Sequence, residues 1–221
     1  MKENRKNNTT ELVFILDRSG SMSGLEGDTI GGFNAMLEKQ KQQEGACFVT
    51  TVLFDHEIIT LHDRLPLAHV PMMTKKDYTV RGCTALLDAV GSTIRHIVNI
   101  HRYARPEDIP AHTLFVITTD GMENASHAFT AEQVRTMIEK ERDKYGWEFL
   151  FLGANMDAVQ TARDFGIRED RAVTYQSDSA GTQLNYEVLS DTIGCFRMNA
   201  PLSADWKSRI EQDVKKRKKN K

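Results

Sequence analysis

Apolar and polar residues fall in blocks along this chain. ELVFILD (11–17) and HTLFVITTD (112–120) are apolar nearly throughout and each ends on an aspartate. Such runs suit strands buried on both faces of a parallel sheet. ACFVTTVLFD (46–55), WEFLFLGAN (147–155) and RAVTYQ (171–176) read the same way. HEIITLHDRLPL (56–67) follows the 46–55 run with almost no gap, which permits an antiparallel neighbour but no crossover helix. Between the strands the spacing becomes helical. Leu25, Ile30, Phe33, Met36 and Leu37 precede a stop expected at Gly45, and Leu86, Leu87, Val90, Ile94, Ile97 and Val98 line one side of residues 84–104. Residues 130–146 form a further helix, with Thr130 and Gln133 placed for a capping box. Helices are also expected over 156–167 and 180–197, and an irregular excursion over 68–81.

Strands alternating with helices predict an α/β domain, doubly wound, with a mainly parallel six-stranded sheet and helices on both faces. Residues 11–197 read as one domain, after a polar, disordered stretch over 1–10. Beyond it lie a C-terminal helix and basic tail, 198–221. In that segment Leu202, Trp206, Ile210 and Val214 recur every four residues, an apolar stripe expected to dock on the same domain.

Composition narrows the function. The 221 residues are 40% hydrophobic and 27% charged, an ordinary globular balance. MKENRKNNTT lacks the apolar core of a secretory signal, and no apolar run is long enough to span a bilayer. The three cysteines, Cys47, Cys83 and Cys195, form no CxxC pair, so reduced thiols and a cytoplasmic location are expected, with Cys83 buried. The seven histidines show no metal-ligand spacing. Net charge is −2, but KKRKKNK (215–221) holds six positive side chains, read as a solvated, fraying terminus with polyanion contact as the alternative.

The chemistry gathers where strands end. In a doubly wound sheet of order 3-2-1-4-5-6, ligands bind where the strand order reverses, beyond the carboxyl ends of strands one and four. Asp17 and Asp120 stand at those ends. Two neighbouring carboxylates repel unless one is protonated or a cation lies between them. Ser19 and Ser21 follow Asp17 at alternate positions, where an extended loop with Gly20 at its turn aims both hydroxyls the same way. An all-oxygen set suits a hard dication such as Mg²⁺. The bland readings are a strand-ending aspartate, a hydroxyl-rich turn, and a helix-capping Thr84.

DRSGSM resembles the DxSxS motif of von Willebrand factor A (vWA) domains, whose metal-ion-dependent adhesion site (MIDAS) adds a distant threonine and aspartate. GCTALLDAV places Thr84 in the family's G-x-T-x-L setting, and VITTDGMEN places Asp120 in its T-D-G setting. The resemblance spans roughly residues 10 to 196, a usual domain size, and includes an antiparallel third strand. It implies a stand-alone intracellular bacterial type. It also implies that Ser19, Ser21 and Thr84 supply hydroxyls to Mg²⁺ or Mn²⁺, while Asp17 and Asp120 bind directly or through water. A partner's Asp or Glu would complete the coordination. The family further suggests an AAA+ ATPase or another assembly machine as partner, and a shift of helix 180–197 on ligand binding. Arg18 and Cys83 occupy positions to which the pattern gives no role, and Glu123 and Asn124 read as solvated loop residues. No nucleophile or general base stands out, so a binding module is expected rather than an enzyme. Two alternatives stay open: a metal-dependent phosphohydrolase, and association with nucleic acid through the basic tail.

Overall fold

The computed structural model describes residues 8–154 and 157–219. Six strands form one sheet in the order β3-β2-β1-β4-β5-β6. They are β1 (Thr10–Asp17), β2 (Cys47–Phe54), β3 (Ile58–Pro66), β4 (His112–Thr119), β5 (Glu148–Ala154) and β6 (Ala172–Tyr175). All neighbours pair parallel except β2 and β3, which are antiparallel. The architecture is the doubly wound α/β sheet expected from the alternation. β1 shows why its sequence is apolar throughout: Leu12, Phe14 and Leu16 face one layer, Val13 and Ile15 the other, and all five are 0% exposed. The first layer holds α1 (Glu26–Lys41) and α5 (Ser179–Arg197), the second α2 (Leu86–Tyr103), α3 (Ala131–Tyr145) and α4 (Ala158–Asp164).

Local rules set most boundaries. Thr130 and Gln133 form the reciprocal capping box at the start of α3, and Gly146 ends it at φ 68°. α1 differs from expectation. It stops at Lys41, four residues before Gly45, and the turn that follows is held from α5, where buried Arg197 donates to the carbonyls of Gln40 and Gly45. α2 begins at Leu86 rather than at Thr84.

The C-terminal segment docks at home through α6 (Ser208–Lys219). Ile210 is 1% exposed, Trp206 Nε1 donates to Asp170 O at 2.9 Å, and Lys207 Nζ donates to Glu169 O and Ala172 O. The basic stretch expected to fray is helical to Lys219. Residues 1–7, most of the stretch expected to be disordered, lie outside the described residues, as do Asn155 and Met156 at the expected β5–α4 junction. β1 already pairs at Thr10, whose N–H donates to Ala46 O. Among the described residues no helix is long and apolar enough to cross a membrane.

Candidate metal centre

β1 and β4 are neighbours in the sheet, so Asp17 and Asp120 meet at their carboxyl ends. Asp17 is 1% exposed and its two oxygens are held separately: Oδ1 accepts from Ser19 N at 2.6 Å, Oδ2 from Thr119 Oγ1 at 2.7 Å and Asp120 N at 3.3 Å. Burial pushes the Asp17 carboxyl above its ordinary value, and the hydrogen bonds from Ser19, Thr119 and Asp120 pull it back. Beneath it, the hydroxyl of buried Tyr78 donates to Asp17 O. Burial raises the Tyr78 and Tyr175 hydroxyls well above their ordinary value, and nearby carboxylates add to it, Asp17 at Tyr78 and Asp120 ahead of Asp17 at Tyr175.

The hydroxyls converge. Ser19 Oγ and Ser21 Oγ lie 3.0 Å apart. The loop is a tight 3-10 turn over Gly20–Met22 rather than the extended segment expected, and the turn brings the two hydroxyls onto one side. Gly20 approaches the neighbouring loop, its N–H donating to Gly82 O at 3.1 Å. Thr84 arrives from that loop. Its hydroxyl does not cap α2, whose N-cap is Ala85 without a side-chain cap. The position a Cβ would take on Gly121 locates the convergence: it lies 2.6 Å from Thr84 Oγ1, 3.2 Å from Ser21 Oγ and 3.6 Å from Ser19 Oγ. Three hydroxyls from two loops thus surround a point beside Asp120, in space that the missing side chain leaves clear. Among the described residues no three His, Cys, Asp or Glu side chains group as a metal site. The donor set is two carboxylates and three hydroxyls, the chemistry of a hard cation.

Several bracing residues escape the motif. Asp55, at the end of β2 and 0% exposed, ties the two loops together. Its Oδ2 stands 3.1 Å from buried Arg18 Nε and accepts from Arg81 Nε at 3.1 Å, while its carbonyl accepts from Ala85 N. Arg18, to which the pattern gave no role, is therefore half of a buried ion pair. Gly82 sits at φ 68° with the His56 ring against it; a Cβ there would meet Nδ1 at 2.1 Å. Glu123 and Asn124 are not free loop residues. Asn124 Oδ1 accepts from Thr84 N at 2.9 Å, and Glu123 Oε2 accepts from Leu87 N at 2.8 Å, so Glu123 caps the bare start of α2. Ser177, after β6, donates its hydroxyl to Asp120 Oδ2. Cys83, expected to be buried, is exposed, because the Gly82–Thr84 turn points it outward. Asp55 and Ser177 had one available signal, their places just past strand ends.

Solved structures share this fold. The vWF domain of the type V pili tip protein Mfa5 from Porphyromonas gingivalis matches with a TM-score of 0.59 at 10% identity, over 88% of this chain and 98% of that one. Proximal thread matrix protein 1 from the mussel byssus, with a zinc-occupied MIDAS motif, gives 0.58 at 12% identity, over 85% and 48%. A von Willebrand factor type A protein from Catenulispora acidiphila gives 0.56 at 13% identity, over 83% and 42%. The chain spans less than half the length of the mussel and Catenulispora proteins. No protein-family model and no curated protein matches the sequence. The vWA fold is therefore shown by structure, at identities too low to transfer function.

Proposed function

We propose that this protein is a divalent-metal-dependent protein-binding module. Asp17, Ser19, Ser21, Thr84 and Asp120 would hold Mg²⁺ or Mn²⁺, and the bound ion supplies an electrophilic position that accepts a carboxylate oxygen from an Asp or Glu of the partner. The observation that carries this reading is the convergence of Thr84, Ser21 and Ser19 hydroxyls within 3.6 Å of one point beside Asp120. The zinc-occupied MIDAS of the mussel protein supports it by fold. The chain's own residues do the orienting. Thr119 and Ser19 N–H fix Asp17, Ser177 fixes Asp120, and Asn124 fixes the Thr84 backbone. Three free thiols, two of them exposed, suit a reducing, intracellular location.

A phosphohydrolase fits less well. Asp17, the candidate nucleophile, is 1% exposed with both oxygens engaged, and the position two residues on is Ser19 rather than a second acid. Affinity capture with Mg²⁺ or with EDTA tests the reading. A partner retained in Mg²⁺ is expected to be lost in EDTA and with Ser19→Ala or Asp120→Ala. Equal retention in all four conditions, or phosphate-ester turnover that Asp17→Asn abolishes, would overturn it.

A further inference from the structure

The basic end of α6 lies at the same end of the molecule as the candidate metal centre. Lys207, just before α6, bonds to the carbonyls of Glu169 and Ala172 at the start of β6. Ten residues later Arg217 donates to Asp178, beyond the end of β6. The helix therefore climbs alongside β6 toward the carboxyl ends of the parallel strands. Asp178 adjoins Ser177, whose hydroxyl holds Asp120. By chain geometry the last turn of α6 stands on the order of 15 Å from the metal position, about the span of five extended residues.

Only part of the charge at that end is compensated. Arg217 is paired to Asp213 at 2.8 Å and to Asp178, and Arg209 and Lys207 also have acidic partners. Lys215, Lys216, Lys218 and Lys219 are exposed and have no ion pair among the described residues. One cation would satisfy the negative end of the helix, and Arg217 already stands there. Four more at neighbouring positions repel one another and weaken the helix unless something anionic meets them.

We propose that the metal centre and these four lysines form one electropositive docking face for an acidic protein segment. One carboxylate of that segment would enter the metal's coordination, and further Asp or Glu residues, about five positions away, would meet the lysines. This rests on the metal-dependent binding reading above. Met122, 72% exposed two residues after Asp120, offers an apolar contact beside the metal position that a peptide side chain can use. Nucleic acid fits the face less well. The chain's net charge is −2, and the patch is built of point-charge lysines rather than arginine forks. The exposed tyrosines that could stack bases, Tyr103 and Tyr145, end α2 and α3 at the opposite end of the sheet.

The test is fluorescence anisotropy with the full chain and three labelled probes: octaglutamate, an octapeptide of Gly and Ser with a single Glu, and a single-stranded oligonucleotide of eight phosphates. Octaglutamate is expected to bind most tightly in Mg²⁺. It should lose at least tenfold in a variant carrying Lys215→Gln, Lys216→Gln, Lys218→Gln and Lys219→Gln. That variant should keep its helical circular dichroism and its Mg²⁺ affinity by calorimetry, and should bind the single-Glu peptide unchanged. Octaglutamate binding that needs Mg²⁺ but ignores the four substitutions would overturn this proposal alone. Binding that vanishes with the substitutions yet ignores EDTA and Asp120→Ala would overturn the metal reading beneath it. Tighter binding of the oligonucleotide than of octaglutamate would assign the face to nucleic acid instead.

Discussion

A methyl group on Gly121 would stand 2.6 Å from Thr84 Oγ1, so the side chain this residue lacks is what leaves room for an ion. Gly121→Ala is predicted to lower Mg²⁺ affinity at least tenfold by calorimetry while circular dichroism stays unchanged. Asp55 acts one shell further out. Asp55→Ala would leave Arg18 charged and buried without its counterion, at a cost of about 3–5 kcal/mol in urea denaturation. Arg81→Ala, whose side chain is 46% exposed and whose charge stays solvated, should cost far less in the same measurement. His62 adds a pH dependence. It is 2% exposed beside Thr51, and burial lowers its pKa below the ordinary 6.5. The unfolded chain takes up this proton near 6.5, the folded chain only at lower pH. The contribution is therefore full above 6.5, begins to fall there, and is lost as pH drops on through the lower folded-state value. Denaturation from pH 8 to pH 5 should show a smaller loss in His62→Gln than in the parent protein. Asp17, Ser19 and Ser21 were legible at this scale because five adjacent residues hold them. The Arg18–Asp55–Arg81 cluster was not, since its members come from three segments that only the fold brings together.

Elements divide the same way into local and non-local causes. The capping box of α3 needs only Thr130 and Gln133, so four residues of sequence sufficed to place it. The turn after α1 is held by Arg197, more than 150 residues away, and Gly45 gave a false stop. α6 shows both behaviours. Its four-residue apolar stripe announced a docked helix, while the charge of its last turn argued for fraying; the Arg217–Asp178 contact, invisible in sequence, decides for helix. Ile210, 1% exposed, anchors this element. Ile210→Ala is predicted to cost about 2–4 kcal/mol by chemical denaturation and to speed proteolysis after residue 200. Equal cleavage rates in both proteins would mean that α6 is not held by that contact.

At the scale of the molecule, strand order converts a scattered sequence into a site. Right-handed crossovers leave few arrangements for this alternation of strands and helices, and in the observed one β1 and β4 lie side by side. Asp17 and Asp120, more than 100 residues apart, are thereby placed within one hydrogen bond of each other. That much was legible because topology and motif pointed to the same crevice. Which hydroxyls share one point was not, because it depends on a 3-10 turn and on two glycines that admit a close approach. Calorimetric titration of chelator-stripped protein with MgCl₂ and MnCl₂ tests the whole most directly. The arrangement predicts saturable binding at a single site, abolished by Asp120→Ala and by Ser19→Ala. Absence of any saturable heat with either ion, or binding that both variants retain in full, would contradict it.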